Sequence, residues 1–336
     1  MFFAPLFFIL APPITGTGVY KMSKPRVTVM GSFIVDLMAR AHHLPVHGET
    51  VKGSQFMIGP GGKGSNQGVA ACRSGSIVTM ITKIGSDQFS QIALDSFRKE
   101  DMGTAFVFED AKYPTGTALI MVDENTSENQ IMVTPGACDH ITKAEIESAR
   151  THIEGSKVLL TQLETNFEAL AKAVEIAHSK GIKVILNPAP APLFPLPDEL
   201  LAKIDILTPN ETEASVISGI KVSTFKDAGK AAGLIKRKGI GTVIITMGSK
   251  GAFVSTQSAE YKIDPFEVNV LDTTGAGDAF NGGLATALAE GMEIHDAVHF
   301  ANATGALSVT KLGTAPSMPY RHEIDELLLK NTNQKR

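Results

Sequence analysis

Continuous apolar runs of strand length alternate with helical periodicity along most of this chain, and that alternation leaves few folds open. Val27 to Met30 is one such run, and Ile77 to Thr82 is another, followed by a helical pattern over Asp87 to Lys99. Val158 to Gln162 leads into a helix over Phe167 to Ser179. Val184 to Leu186, Ile204 to Thr208 and Val243 to Thr246 follow, with helical stretches between them. Strands that are apolar on both sides need cover on both sides. The pattern therefore predicts an α/β fold, a Rossmann-like parallel sheet sandwiched between helices. Ligands on such sheets sit beyond the C-terminal strand ends, so the residues after Met30, Gln162, Thr208 and Thr246 are where function belongs. Thr165 and Glu168 read as a capping box opening the helix after Glu164, and Gly181 as its stop.

Two segments break the alternation. Leu37 to Ile58 and Thr117 to Val133 lack long helical patterns, and the second reads as a hairpin. Its arms are Ala118 to Val122 and Gln130 to Thr134, around the polar turn D-E-N-T-S-E-N. Segments of about 37–58 and 117–134 would form a small sheet projecting from a main domain of residues 25–332. Residues 1–24 read as an extension outside the fold. Phe2 to Pro13 is apolar but short for a bilayer and has no basic residue before it, and Met22 opens a sensible start. A signal peptide is the alternative for that stretch.

A chain of 336 residues suits one large core plus a smaller module. Net charge is −4, with no long basic run, which argues against a nucleic-acid or acidic-membrane partner. Cys72 and Cys138 lie far apart without metal-ligand spacing and read as buried thiols of a reducing, cytoplasmic compartment. His42, His43 and His47 read as solvated loop histidines.

Residues Asp272 to Gly283, D-T-T-G-A-G-D-A-F-N-G-G, carry the densest chemistry. A strand-like stretch (Phe266, Val268, Val270) runs into Gly275, Ala276 and Gly277, where an Ala-rich helix begins. Free N–H groups at a helix N-terminus make an anion site. Asp278 beside it could accept the proton of an attacking alcohol during phosphoryl transfer. Alone, the block also fits a plain tight turn with a carboxylate at a helix N-terminus.

Three further blocks accompany it. Gly59 to Asn66 reads G-P-G-G-K-G-S-N and opens a helix over Gln67 to Arg73; Asn210 to Glu213 reads N-E-T-E; Thr246 to Gly251 reads T-M-G-S-K-G. In this order and spacing, the four blocks resemble the ribokinase family, also called the phosphofructokinase-B family of sugar and nucleoside kinases. The resemblance covers about residues 25 to 332. Gln162 to Glu164 and Leu186 to Ala191 are most similar to its ribose-phosphorylating branch.

The resemblance implies an ATP-dependent, Mg²⁺-requiring pentose kinase acting on the 5-hydroxyl of D-ribose or 2-deoxy-D-ribose. Asp278 would be the base, and Gly275, Ala276 and Gly277 the anion-hole backbone. Ile34, Val35, Asp36, Gly62, Lys63, Gly64, Ser65, Asn66 and Glu164 match sugar-binding positions. Two carboxylates and an amide suit a neutral polyol, whereas a phosphorylated sugar would meet repulsion. Asn210, Thr246, Met247, Gly248, Ser249, Lys250, Gly251 and Asn302, with Gly277 and Asp278, match ATP contacts. Glu213 matches an acidic position linked to Mg²⁺, and Lys250 reads equally as a surface lysine. Asp272, Thr274, Ser308, Lys311, Gly313 and Ser317 match positions that hold a monovalent cation, usually K⁺. The projecting sheet would be a lid over the sugar whose outer face pairs with a second copy in a homodimer.

One position departs from the ribose pattern G-S-x-N-x-D. Here the residues are Gly31, Ser32, Phe33, Ile34, Val35 and Asp36, so Ile34 stands where an asparagine would bond the sugar. An unpaired buried hydroxyl costs roughly 1 to 3 kcal/mol, and a sugar without the 2-hydroxyl escapes that cost. Members acting on 2-deoxyribose resemble this chain there. Another sugar or nucleoside kinase of the family, or a sugar sensor without catalysis, is the competing reading.

Overall fold

The structure, a computed structural model, describes residues 24–126 and 128–334. Its strands, in chain order, are β1 (Arg26–Met30), β2 (Ile34–Ala41), β3 (Gln55–Gly61), β4 (Ile77–Gly85), β5 (Gly103–Asp110), β6 (Gly116–Asp123) and β7 (Asn129–Thr134). There follow β8 (Val158–Thr161), β9 (Lys183–Leu186), β10 (Ile206–Leu207), β11 (Thr242–Thr246), β12 (Ala252–Ser255) and β13 (Glu260–Ile263). Nine strands form one sheet in the order β13-β12-β11-β10-β9-β8-β1-β4-β5. The stretch from β11 to β5 is parallel throughout, and β12 and β13 add antiparallel at one edge. The four remaining strands form the small second sheet, in the order β3-β2-β6-β7.

Alternation along each main-sheet strand sends side chains into two cores. Val27, Val29 and Leu160 pack with residues of helices Lys63–Ser74, Ala276–Ala289 and Ile294–Ser308. Met30, Leu159 and Val184 pack on the other side with Leu170, Val174, Ala232 and Ile235, from helices Phe167–Ser179 and Phe225–Lys236. Each fully buried Val, Leu or Phe contributes about 1.5–3 kcal/mol. The helix layers therefore account for strands that are apolar on both faces.

The chain leaves β1 toward β4 and β5 on one side and later fills β8 to β11 on the other. The strand order reverses at β1 and β8, and the crevice beyond their C-terminal ends is where a doubly wound sheet offers a site. A close helix contact supplies the opposite wall. A Cβ on Gly282 would lie 2.5 Å from Ala70 Cβ and 2.6 Å from the Gln67 carbonyl oxygen. Only glycine lets helix Ala276–Ala289 press this near helix Lys63–Ser74, and that contact brings Asp278 to Asn66 and Gln67.

The hairpin forms as the alternation predicts, with Ala118 opposite Val133 and Ile120 opposite Ile131. Several local expectations need correction. The stretch Phe266, Val268, Val270 is no strand. It continues as an extended loop from β13, with Phe266 packed in the core and Val270 exposed. Apolar alternation without a neighbouring strand to pair with makes no ladder. The helix after Glu164 is capped by Asn166, whose side chain accepts from the Ala169 N–H at 2.9 Å, and not by Thr165. The helix expected from Gln67 begins at Lys63. The one expected from Asp87 begins at Ser90, because Asp87 Oδ1 accepts from the Phe89 and Ser90 N–H groups. Of the extension assigned to residues 1–24, all but Lys24 lies outside the described residues. Among the described residues no helix is long and apolar enough to cross a membrane.

Candidate active site

Asp278 lies in the first turn of helix Ala276–Ala289, just after Gly275, whose φ of 79° is left-handed and suits glycine alone. No side chain caps this helix; the Ala276 N–H donates to the Thr273 carbonyl at 3.3 Å, and the Gly277 and Asp278 N–H groups keep their capacity for an anion. The carboxylate is buried and held at both oxygens. Asn66 Nδ2 donates to Oδ2 at 3.1 Å, and Gln67 Nε2 to Oδ1 at 3.0 Å. Burial lifts the Asp278 pKa above the ordinary aspartate value, against the pull of Lys63 and the two amide donors.

Glu164, beyond β8, folds over the start of helix Lys63–Ser74. Its Oε2 accepts from Ser32 Oγ at 2.5 Å and from the Lys63 N–H at 2.9 Å. It is thus an anion docked on a helix N-terminus, here supplied by the protein itself. The Lys63 ammonium stands 3.7 Å from Glu164 Oε1. Burial works against its charge, yet Asp278, Glu164 and Glu213 outweigh burial and raise its pKa. Asp36, on β2, completes the group. Burial first, then Glu164 and Asp278, push it up to about 6, with Thr314 and Lys63 opposing. Carboxylates at 36, 164 and 278 around one ammonium favour hydroxyl donors and disfavour an anionic sugar.

Helix Lys63–Ser74 buries Gly64, Ser65 and Asn66 beside this group. Ser65 Oγ, Asn66 Oδ1 and Gln162 Oε1 are buried without a hydrogen-bond partner in the protein. Buried polar atoms are normally paired, so this wall of the crevice fits a polar ligand. Ile34 is buried, belongs to neither core cluster and shares the face of β2 that carries Asp36. Val35 points the other way, into the core, and could meet a ligand only through its backbone.

Of the expected nucleotide residues, Asn210, Thr246 to Gly251 and Asn302 lie along one wall, while Gly277 and Asp278 belong to the first turn of helix Ala276–Ala289. Thr246 bridges to Asn210, and its N–H donates to the Pro209 carbonyl at 3.0 Å. The turn Gly248–Lys250 leads to Gly251, where a Cβ would strike the Ile263 carbonyl at 2.1 Å. Asn302 Nδ2 donates to the Asp264 carbonyl at 3.1 Å, next along. Met247 is buried in the core, while Ser249 is exposed. Lys250 Nζ is shared between Glu211 at 3.1 Å and the Ser223 carbonyl at 3.0 Å. Asn210 and Glu213 form a reciprocal capping box on helix Glu211–Ser218. Both Glu213 oxygens accept from Asn210, and burial raises its pKa. Direct metal ligation by Glu213 would compete with that cap; a metal-bound water would not.

The expected cation residues sit on the turn of Asp272 and Thr274 and on the stretch from Ser308, at the end of helix Ile294–Ser308, to Ser317, and Asp272 ties the two together. Its Oδ1 accepts from the Thr274 N–H at 2.9 Å and its Oδ2 from the Gly313 N–H at 3.0 Å. The Thr274 side chain first, then these two N–H groups, outweigh burial and hold its pKa below the ordinary value. The Ser308 and Ser317 hydroxyls donate to nearby carbonyls, and Lys311 Nζ donates to Glu323 at 2.7 Å.

The family of pfkB carbohydrate kinases matches residues 24–321 as a sequence profile. The chain belongs to that family. This pfkB kinase is a phosphotransferase that uses a sugar hydroxyl as acceptor. It is 42% identical over 302 residues to the ribokinase of Haemophilus influenzae, covering 90% of this chain and 98% of that one. To the deoxyribokinase of Salmonella typhi it is 36% identical over 305 residues, covering 91% and 99%. Its fold is similar to that of the Arabidopsis thaliana ribokinase complexed with ribose and ATP. The TM-score is 0.83 at 28% identity, covering 91% of this chain and 99% of that one.

Residues of this pfkB kinase to which the motifs gave no role, Gln162 and Asn187 inside quoted blocks among them, also converge on Asp278. Gln67, Gln162 and Asn187 form a buried amide cluster with it, and Thr314 Oγ1 reaches Asp36 at 3.5 Å. The signal for Gln67 was an amide in the middle of an otherwise small, apolar helix face.

Proposed function

We propose that this pfkB kinase phosphorylates the 5-hydroxyl of D-ribose or 2-deoxy-D-ribose with ATP. The observation that carries this reading is a buried, doubly bonded Asp278 in the first turn of a helix whose N-terminus no side chain caps. Asp36, Glu164, Lys63 and Asn66 would hold the sugar hydroxyls. Asp278 would take the 5-hydroxyl proton as that oxygen attacks the γ-phosphorus and ADP departs. The Gly277 N–H, joined by that of Ala276 on release from the Thr273 carbonyl, would stabilise charge on the transferring group. The wall of Asn210, Thr246 to Gly251 and Asn302 would seat the nucleotide. Glu213, through a bound water, would help to hold Mg²⁺, whose contribution would be to neutralise phosphate charge on the nucleotide.

The relatives support a pentose, and the unequal chemistry of Ile34 favours 2-deoxyribose as a second substrate. Coupled ADP release with ribose, 2-deoxyribose, fructose, adenosine and fructose 6-phosphate tests the substrate class. The pentoses should turn over fastest. Highest turnover on fructose 6-phosphate would sink the reading, and ADP release with none of them would favour a sugar sensor.

K⁺ should activate the enzyme by ordering the loops that Asp272 joins beside the anion hole. Asp272→Ala is expected to weaken the response of kcat to K⁺ several-fold. A potassium titration that superimposes on wild type would refute this ion site.

The lid sheet supports a homodimer. On the face opposite Asp36, Phe56, Ile58, Leu119, Met121 and Met132 are all exposed, an apolar patch of the kind that a partner covers. Met132→Glu would place a carboxylate on each side of a two-fold contact without a counter-ion. Light scattering after gel filtration should show a dimer in wild type and a monomer in the variant. A monomeric wild type would end the proposal.

A further inference from the structure

A buried amide chain runs from the main sheet to Asp278, and its polarity is fixed from the far end. The Thr208 carbonyl, beyond β10, can only accept, and Asn187 Nδ2 donates to it at 3.0 Å. Asn187 must then present its Oδ1 to Gln67, whose Nε2 donates there at 3.0 Å. The same Nε2 donates to Asp278 Oδ1 at 3.0 Å. Gln162 Nε2, beyond β8, donates to Gln67 Oε1 at 2.6 Å. Flipping the Gln67 amide would set its oxygen against two acceptors and its nitrogen against a donor, so only one orientation satisfies the cluster. Gln67, Asn187 and Gln162 are all buried. Two helices and the ends of three parallel strands thus meet at one N–H aimed at the carboxylate.

We propose that Gln67 is a positioning residue for phosphoryl transfer: it holds Oδ1 of Asp278 and turns Oδ2, the oxygen beside Asn66, toward the sugar hydroxyl. The proposal rests on Asp278 being the base. Gln67 itself need touch no substrate. Its donation also favours the ionised carboxylate, against burial and against the charges of Glu164, Glu213 and Asp36, and in concert with Lys63 and Asn66. Losing one donor inside a low-dielectric site should move the base toward its protonated form.

Gln67→Met keeps the length and removes the hydrogen bonds. In the purified full-length enzyme, kcat should fall about tenfold or more, with KM for sugar and ATP changed less than about threefold. The acid limb of kcat against pH should move up by roughly half to one unit, the equivalent of one hydrogen bond. Should Gln67→Met fail to fold, Gln67→Glu replaces it. Its carboxylate would repel Asp278, so the same upward shift is expected. A purely structural glutamine would lower the melting temperature and leave the acid limb where it was, and that result overturns the proposal. Asp278→Asn, measured alongside, separates the two ideas. If Asp278→Asn stays active, the base assignment fails. If it is inactive while the Gln67 variants keep the wild-type pH profile, only the role of Gln67 fails.

Discussion

Asp278→Asn is expected to lower kcat by about 10² to 10⁴-fold, the usual contribution of a general base, while sugar binding and the fold persist. The fold should tolerate the change for two reasons. Burial already disfavours the charged form, as the raised pKa records. Asn66 Oδ1 has no protein partner and can turn to accept from the new amide. The same shift sets the pH dependence. A base must be ionised, and burial raises the pKa of this one above the ordinary aspartate value. Wild-type activity should therefore fall, as pH drops, through a pKa above that value. A variant that keeps more than about a tenth of wild-type kcat would show that Asp278 is not the base.

Ile34→Asn should raise kcat/KM for ribose relative to 2-deoxyribose by roughly tenfold, from one hydrogen bond of about 1 to 1.5 kcal/mol plus lost apolar contact. Ile34 is only 3% exposed. Its position on the Asp36 face of β2 supports contact with the sugar. Its Cδ1 also lies where a Cβ on Gly116 would come within 2.5 Å, so the side chain is partly spent on the foot of the lid. Those two placements give opposite outcomes. If Ile34 serves only to pack β2 on β6, the ratio of the two sugars will not change in the variant. A wild-type preference for ribose of a hundredfold would settle the matter in the same direction.

The sequence made the sheet legible because its strands are apolar on both faces, as a parallel sheet covered by helices on both sides requires. Asp278 and its glycine turn were legible too, since their chemistry is local: a carboxylate and a left-handed Gly275 within four residues. The amide cluster was not. Gln67, Gln162 and Asn187 are far apart in sequence, and only the strand order and the close approach at Gly282 bring them together. The strand expected over Phe266 to Val270 failed for a related reason, because a period of two says nothing about whether a pairing strand is present. The cap at Asn166 instead of Thr165 reflects competition between two adjacent good cappers, which the backbone decides. Glu164 was expected to bind sugar, and the helix N-terminus at Lys63 adds a structural task that its sequence context did not reveal.

Product analysis tests the central claim most directly. The full-length protein, incubated with ATP, Mg²⁺ and K⁺ and either D-ribose or 2-deoxy-D-ribose, should yield one sugar phosphate per ADP. Phosphorus and carbon NMR should place the phosphate on the 5-oxygen. A phosphate at the 1-oxygen, or ADP and inorganic phosphate without any sugar phosphate, would contradict the account.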